Sequence, residues 1–251
     1  MKLSLCINSA TGNLSRADAI VLAKKLGYHA VEFWEGGKNF DMNTFKPAID
    51  ETGMTVACMG FASGLVDPAT RADFLEAAES SLAYAKILGA KGIIGTTGQA
   101  LEDVPREKQR ESIVAGLKEA AKILSGSSIP LLLEPLNVLV DHGGYYLYSS
   151  AEAFDIVREV NSPEIKILFD IYHQQISEGN LITNITNNID LIGHFHVAGN
   201  PGRREPYLGE INYSQVFAAI DKAGYTGYAG LEFWPKSNVE DSLKKCIELY
   251  I

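Results

Sequence analysis

The chain has 251 residues, of which 46% are hydrophobic and 21% are charged, as is ordinary for a soluble globular protein. Its formal net charge of −9 disfavours a nucleic-acid partner, because contacts to phosphates need a basic face. No apolar run approaches the ~20 residues of a membrane span, and the first residues lack the apolar core of a signal peptide, so we predict a cytoplasmic protein without a membrane partner.

Short apolar stretches alternate with amphipathic stretches eight times along the chain. The predicted strands cover residues 2–8, 30–35, 55–61, 92–97, 130–137, 166–173, 192–199 and 228–235. The predicted helices cover residues 16–26, 44–52, 70–88, 107–124, 151–160, 181–191, 213–223 and 239–250. The strands are runs of Val, Ile, Leu and Phe rather than strict alternations, which is typical of parallel strands covered on both faces.

The residues at the helix ends agree with this division. A glycine follows four of the predicted helices, at positions 27, 53, 89 and 224. Glycine tolerates the left-handed backbone that ends a helix. Ser15, Asp67 and Ser150 are predicted to cap helix N-termini, since their side chains accept hydrogen bonds from free backbone N–H groups.

Two distant segments resemble each other. Residues 27–34 read Gly-Tyr-His-Ala-Val-Glu-Phe-Trp, and residues 227–234 read Gly-Tyr-Ala-Gly-Leu-Glu-Phe-Trp. This echo fits an array of equivalent strand–helix units. Eight such units predict one (β/α)₈ TIM barrel over residues 1–251, rather than an open doubly wound sheet. No G-x-G-x-x-G follows an early strand, which weakens a dinucleotide-binding alternative.

Each of the last four predicted strands carries a polar residue near its carboxyl end. These residues are Glu134, Asp170, His196 and Glu232. A single such residue is more often a helix cap or an ion-pair partner, but four consecutive strands favour a shared role at the barrel mouth. Three carboxylates and an imidazole would repel one another without a cation, so we predict one divalent metal ion. The ligand set favours Mn²⁺ or Mg²⁺, and its nitrogen leaves Zn²⁺ and Co²⁺ open.

Several motifs carry a resemblance to a known family. They are Leu-Glu-Pro-Leu-Asn at 133–137, Phe-Asp-Ile-Tyr-His at 169–173, His-Val-Ala-Gly-Asn-Pro-Gly-Arg-Arg-Glu-Pro at 196–206 and Gly-Leu-Glu-Phe-Trp-Pro at 230–235. In this order they resemble hydroxypyruvate isomerases. They also resemble the wider xylose isomerase-like (AP endonuclease family 2) barrels, which include ketose 3-epimerases and endonuclease IV. The likeness spans nearly the whole chain and is densest over residues 130–235.

The resemblance implies roles for individual residues. The implied metal ligands are Glu134, Asp170, His196 and Glu232. Glu134 and Glu232 would also transfer protons as the catalytic pair, and His173 and Arg203 would contact substrate oxygens. Two departures leave the substrate open. Many hydroxypyruvate isomerases have glutamine in place of His196, whereas the epimerases have histidine, and the epimerases carry a further glutamate where this chain has Val140.

The implied chemistry moves a carbonyl group between adjacent carbons. Removing a proton beside C=O gives an enediolate, whose two oxygens a divalent cation would stabilise. Return of the proton to the adjacent carbon gives isomerisation, and its return to the opposite face of the same carbon gives epimerisation. Arg203 would pair bidentately with a substrate carboxylate. We therefore expect an isomerase (intramolecular oxidoreductase) of a small hydroxy-keto acid such as hydroxypyruvate or tartronate semialdehyde, with a ketose 3-epimerase or other sugar isomerase as the alternative.

Other polar and aromatic residues near the predicted mouth have weaker signals. His142 lies in a loop that would close over the mouth, and Asn137 and Glu205 would bind substrate hydroxyls, although exposed loop residues often have no special role. Trp34 and Phe61 line the pocket or pack in the core.

Two further polar residues lie in predicted strands. His194 is predicted to be structural, and Glu32 either has a buried partner or faces the pocket.

Two other classes of function are less compatible with the sequence. An endonuclease IV-like phosphodiesterase is disfavoured, since that group uses about three metals and the chain has only five histidines. A non-catalytic sugar-acid binder would not need two acid/base glutamates. The sequence is compatible with a homo-oligomer.

Overall fold

The computed structural model describes the backbone of residues 1–250 and every side chain among them except that of Phe61. Eight parallel strands pair in sequence order, and the last pairs with the first, so the sheet is a closed barrel. The predicted (β/α)₈ barrel is confirmed. The predicted pocket role of Phe61 lies outside the described side chains.

Strands and helices alternate around this barrel. The strands are β1 (Lys2–Cys6), β2 (Ala30–Phe33), β3 (Thr55–Ser63), β4 (Ile93–Thr96), β5 (Leu131–Leu133), β6 (Ile165–Asp170), β7 (Ile192–Val197) and β8 (Tyr228–Leu231). The helices are α1 (Arg16–Leu26), α2 (Lys46–Thr52), α3 (Arg71–Leu88), α4 (Arg106–Leu124), α5 (Ser150–Val160), α6 (Ile171–Ser177), α7 (Leu181–Asn187), α8 (Tyr213–Lys222) and α9 (Val239–Glu248). Single 3₁₀ turns cover Met42–Thr44, Pro68–Thr70, Ile189–Leu191 and Pro206–Leu208.

The helix ends follow the predicted capping chemistry with two corrections. Ser15 caps α1 by accepting a hydrogen bond from the backbone N–H of Asp18, as predicted. Asp67 caps the 3₁₀ turn before α3 rather than α3 itself. Ser149, not Ser150, caps α5. The left-handed glycines that end α1, α2 and α3 are Gly27, Gly53 and Gly89.

The largest difference from the predicted elements lies after β6. The predicted strand over residues 166–173 ends at Asp170, because the side chain of Asp170 accepts hydrogen bonds from the backbone N–H groups of Tyr172 and His173 and so starts α6. His173 therefore lies on a helix rather than on a strand. The predicted helix over residues 181–191 divides into α7 and a 3₁₀ turn.

An apolar layer supports the mouth of the barrel. Ile94, Leu132 and Leu168 form a buried cluster together with Cys58, and Trp34 packs on it. Because side chains of a strand alternate in direction, Leu132 and Leu168 point the same way as the residues two positions later in the chain. This layer is thus the floor under the polar residues at the mouth. None of the described helices is both long and apolar enough to cross a bilayer.

Candidate active site

Four polar side chains meet at the carboxyl-terminal mouth of the barrel. Glu134 follows β5, Asp170 ends β6, His196 lies in β7 and Glu232 follows β8. One oxygen or ring nitrogen from each lies within 4.8 Å of the others, and each residue is at most 5% exposed. The structure thus brings together the four residues that the sequence selects as metal ligands. We call them the four-residue cluster.

His196 lies between the carboxylates of this cluster. Its Nδ1 is 3.2 Å from Glu134 Oε1 and 3.3 Å from Glu232 Oε2. Burial acts to lower the pKa of His196, but the charge of Glu232 and hydrogen bonds to neighbouring groups raise it well above its ordinary value. In the metal-free protein the imidazole therefore carries positive charge that offsets the two glutamates.

Arg203 supplies a second positive charge. Its Nη2 forms a close ion pair with Glu232 Oε2 and lies 3.6 Å from Asp170 Oδ2. The indole Nε1 of Trp34 donates a 2.6 Å hydrogen bond to Glu232 Oε1. Burial acts to raise the pKa of Glu232, but His196 and Arg203 lower it below its ordinary value. The Glu232 carboxylate is therefore ionised.

The donor atoms at this mouth fit a divalent cation. Asp170 Oδ1 accepts hydrogen bonds from the backbone N–H groups of Tyr172 (2.8 Å) and His173 (3.2 Å), whereas its Oδ2 is buried and has no hydrogen-bond partner among the residues that the structure describes. An unpartnered buried carboxylate oxygen is costly unless a cation pairs with it. Burial accordingly raises the pKa of Asp170, against the lowering effect of Arg203. Three carboxylates and one imidazole form a ligand set for a hard cation.

Glu32 lies on the side of the His196 ring that faces away from Glu134 and Glu232. Its Oε1 is 3.0 Å from His196 Nε2, and its Oε2 is 3.0 Å from His194 Nε2. Burial acts to raise the pKa of Glu32, but His194 and then His196 lower it to about 2. Burial acts to lower the pKa of His194, yet the neighbouring Cys58 and Glu32 raise it to about 10. Glu32 and His194 therefore form a buried ion pair.

A cavity of about 350 Å³ opens beside the cluster. It is lined by Trp34, Ile94, Glu134, Leu136, His142, Arg203 and Glu232. Its volume suits a small molecule, and its walls combine apolar side chains with a few charged groups, as ligand pockets commonly do. Trp34, His142 and Arg203 thus line the cavity, and substrate contacts from His142 and Arg203 remain predictions.

His173 is buried beside the cluster in one tautomer. Its Nδ1 accepts hydrogen bonds from the side-chain amide (2.7 Å) and the backbone N–H (3.3 Å) of Asn137. Burial and then Arg203 lower its pKa to about 3, so the ring is neutral. With Nδ1 accepting, the proton lies on Nε2, which is 3.5 Å from Asp170 Oδ2. A substrate contact from His173 remains a prediction.

Asn137 does not line the cavity, which corrects its predicted role in binding substrate hydroxyls. Its amide nitrogen donates to Asp141 Oδ2 (2.7 Å) as well as to His173, and its Oδ1 accepts hydrogen bonds from the backbone N–H groups of Val140 and Asp141. All these polar atoms are used within the protein. Asn137 therefore orients His173 and holds the loop that carries His142.

Glu205 also lies away from the cavity, which corrects the second predicted hydroxyl contact. It is fully buried, and its Oε1 accepts hydrogen bonds from the backbone N–H groups of Lys236 and Ser237 and from the hydroxyl of Ser242. The sequence places Glu205 next to two arginines in a Gly/Pro-rich loop, but it does not show that the loop turns this side chain towards α9. Glu205 anchors the connection between β8 and α9.

Replacing Glu205 is thus expected to change stability rather than substrate binding. Glu205→Ala would leave the buried Ser242 hydroxyl and the partly buried backbone N–H groups of Lys236 and Ser237 without their acceptor, and we expect the free energy of unfolding to fall by about 2–4 kcal/mol. Urea unfolding would measure this change. Glu248→Ala, in which the replaced side chain is exposed at the end of α9, is the control. A raised KM for Glu205→Ala with unchanged stability would contradict this assignment.

Two residues at the site were missed or left open by sequence reasoning. The Tyr145 hydroxyl accepts a hydrogen bond from the backbone N–H of Thr97 (2.8 Å) and donates one to the backbone oxygen of Glu134 (3.1 Å), so it fixes the backbone of a cluster residue. Glu32 is the glutamate of the first Glu-Phe-Trp segment, and Glu232 is the glutamate of the second.

The two glutamates lie beside the same part of β1. Cys6 on β1 is in register with Glu32, and Leu5 is in register with Leu231, the residue before Glu232.

The two Glu-Phe-Trp segments therefore occupy equivalent positions in the barrel. Glu32 and Glu232 flank the same point of β1 from its two sides, and both side chains reach His196. The repeated motif alone could have indicated that the two glutamates share an environment.

Comparison with known proteins gives a consistent result. A family model described as a xylose isomerase-like TIM barrel matches residues 20–249. A hydroxypyruvate isomerase of Escherichia coli (strain K12) is 34% identical over 177 residues, which cover 70% of this chain and 68% of the relative. A 2-oxo-tetronate isomerase of Cupriavidus necator is 31% identical over 235 residues and 90% of both chains.

A solved structure extends the comparison to the whole chain. The crystal structure of an AP endonuclease, family 2, from Brucella melitensis is 26% identical, with a TM-score of 0.89 over 97% of both chains.

Proposed function

The chain belongs to the xylose isomerase-like TIM-barrel family, and from that premise we propose that it isomerises a small hydroxy-keto acid such as hydroxypyruvate with the help of one divalent cation. The observation that carries this proposal is the four-residue cluster beside a small cavity. Glu134 and Glu232 lie on strands separated by two others, so they approach the cavity from different sides. The names of the relatives support this reaction class.

The reaction removes one proton from C3 and adds one to C2, and it removes one proton from O3 and adds one to O2. In hydroxypyruvate, one glutamate removes a proton from C3, and a glutamate returns a proton to C2. The hydroxyl proton on O3 is exchanged for one on O2, which leaves an aldehyde at C3 and no net oxidation. Bound at the cluster, Mn²⁺ or Mg²⁺ would supply positive charge opposite the negative charge that develops on the two oxygens.

The residues of the chain hold the reacting groups in place. Trp34 and Arg203 contact the Glu232 carboxylate and keep it ionised until it accepts a proton. His173 would donate its Nε2 proton as a hydrogen bond to a substrate oxygen. The apolar floor of Ile94 and Leu132 excludes water below the reacting carbons.

The proposal is tested by following hydrogen exchange at carbon. The Mg²⁺-loaded protein is incubated in D₂O with hydroxypyruvate, with 2-oxo-tetronates and with free ketoses, and NMR records deuterium at each carbon. We expect deuterium at C3 of hydroxypyruvate and formation of tartronate semialdehyde. Inversion at C3 of a ketose without action on the acids would establish the epimerase alternative. If no compound exchanges hydrogen at carbon, the result would support a non-catalytic sugar-acid binding protein instead.

Arg203 gives a test of the acid group in the substrate. Lysine keeps the positive charge but cannot pair bidentately with a carboxylate, so we expect Arg203→Lys to raise KM for the keto acid about tenfold. Steady-state kinetics with the keto acid measure this effect. Arg204→Lys is a matched control, because Arg204 is exposed and its side chain donates a hydrogen bond to the backbone oxygen of Trp234. An unchanged KM for Arg203→Lys would contradict carboxylate recognition by this residue.

A further inference from the structure

A buried carboxylate lies behind the proposed metal-binding histidine. Glu32 and His194 are each 1% exposed, and neither belongs to the four-residue cluster. The two oxygens of Glu32 are shared between two imidazoles, since Oε2 is hydrogen-bonded to His194 Nε2 and Oε1 lies 3.0 Å from His196 Nε2. One carboxylate therefore contacts both histidines of β7.

The contacts of His196 divide its ring into two functional sides. Nδ1 faces Glu134 and Glu232, whereas Nε2 faces Glu32. Among the described residues, neither His196 Nε2 nor Glu32 Oε1 has a hydrogen-bond partner of good geometry, so the 3.0 Å ion-pair contact between them meets no competing hydrogen bond. If Nδ1 gives its lone pair to a cation, a neutral ring must carry its proton on Nε2. The carboxylate oxygen 3.0 Å from that nitrogen is Glu32 Oε1.

A glycine creates the space for this carboxylate. Gly230 on β8 is in register with His196 on β7. A Cβ atom at position 230 would lie 1.9 Å from Glu32 Oε1 and 2.4 Å from its Oε2. These distances are far below van der Waals contact, so any larger residue would displace the carboxylate. The neighbouring strand is thus shaped to admit Glu32 beside His196.

We infer that Glu32 is a positioning residue for His196. Its carboxylate holds the proton on Nε2 and directs the lone pair of Nδ1 into the four-residue cluster, with His194 as the counter-ion that keeps Glu32 charged and fixed. The inference rests on the proposed function, because it requires a cation at that cluster. Such carboxylate–histidine–metal arrangements typically contribute about 10–100-fold to metal affinity.

Metal affinity and the tautomer of His196 test this inference together. Metal-free wild type and Glu32→Gln are titrated with Mn²⁺ by calorimetry. Glutamine keeps the size of the side chain but cannot accept hydrogen bonds from both imidazoles, so we expect about 10–100-fold weaker binding. Glu35→Gln is the matched control. Glu35 lies three residues later and pairs with Arg16 instead of a histidine, so its replacement should leave the affinity unchanged.

Loss of a negative charge could weaken cation binding without any change in the ring, so a second measurement is needed. Two-bond ¹H–¹⁵N spectra of the Zn²⁺-loaded protein report which ring nitrogen carries the proton. We expect a single species of His196 in wild type, protonated on Nε2, and a mixture or reversal in Glu32→Gln. Gly230→Ala, which crowds the same carboxylate, should change the affinity and the spectrum in the same direction.

The outcomes separate this inference from the proposed function. If wild type binds no divalent cation, the proposed function fails and the inference with it. If wild type binds and folded Glu32→Gln binds equally well, only the inference is overturned. Protonation on Nδ1 in the loaded wild type would also overturn it. So would a second cation held by Glu32, Cys58, His194 and His196, which also lie close enough together to share an ion. If Glu32→Gln does not fold, the spectrum of the loaded wild type tests the inference: a proton on His196 Nε2 supports it, and a proton on Nδ1 overturns it.

Discussion

Exchange of a carbon-bound hydrogen with solvent is expected to fall by about 10²–10⁴-fold when glutamine replaces Glu134 or Glu232, at C3 of hydroxypyruvate in one variant and at C2 of tartronate semialdehyde in the other. An amide cannot accept the proton that leaves the carbon beside the carbonyl. Both residues line the cavity, and both approach His196 Nδ1 to within 3.3 Å, so each carboxylate is close to the proposed cation as well as to the substrate.

The two variants also differ in a way that identifies their roles. The glutamate that removes the proton from C3 is required for exchange at C3 of hydroxypyruvate, whereas the glutamate that delivers it to C2 is required for exchange at C2 of tartronate semialdehyde. NMR in D₂O started from each compound measures the two exchanges. Glu107→Gln, an exposed carboxylate in the first turn of α4, is the control. Exchange at wild-type rates in both variants, with cation bound, would contradict acid/base roles for these residues.

Asp170→Asn is expected to weaken cation binding by at least about 100-fold while the fold is retained. The two oxygens of Asp170 have separate contacts. Oδ1 caps α6 through the backbone N–H groups of Tyr172 and His173, and Oδ2 has no hydrogen-bond partner within the described part of the chain. Asparagine keeps an oxygen for the cap but places an NH₂ group where the cation needs a lone pair.

Calorimetric titration with Mn²⁺ measures the affinity, and thermal unfolding of the metal-free proteins measures the fold. The unfolding temperature of metal-free Asp170→Asn should stay within a few degrees of wild type. Asp67→Asn is a matched control, because Asp67 also caps a short helix but lies outside the four-residue cluster. If Asp170→Asn is destabilised but its folded fraction binds Mn²⁺ with wild-type affinity, Asp170 only caps α6 and is not a metal ligand.

The barrel and its polar mouth were predictable because they depend on periodic features. Runs of buried residues at regular intervals specify parallel strands, and polar residues at strand ends specify a shared mouth. Glu134, Asp170, His196 and Glu232 could be grouped by this argument without any knowledge of distances. The structure places them together within 4.8 Å.

The missed features depend on local choices that the sequence pattern does not distinguish. Asp170 ends its strand because its side chain competes successfully for the first N–H groups of α6, and this shortens the predicted strand. Asn137 and Glu205 are both polar loop residues beside the mouth, yet both turn inwards to satisfy backbone groups. Which buried donors a loop residue will satisfy follows from the tertiary fold.

The pairing of Glu32 with two histidines lies between these cases. A buried glutamate in a strand signals that a partner exists, since an unpaired charge in the core is costly. The partner itself was not predictable, because it lies on β7, more than a hundred residues away. Gly230 becomes meaningful only when the position of the Glu32 carboxylate is known.

Turnover as a function of bound metal tests the central claim most directly. The protein is stripped with a chelator, and hydroxypyruvate isomerisation is followed as Mn²⁺ is added back against a measured protein concentration. We expect the stripped protein to lose at least about 99% of its turnover, consistent with a cation that stabilises the developing charge, and to regain it at one cation per chain. Full turnover by the metal-free protein would contradict the account.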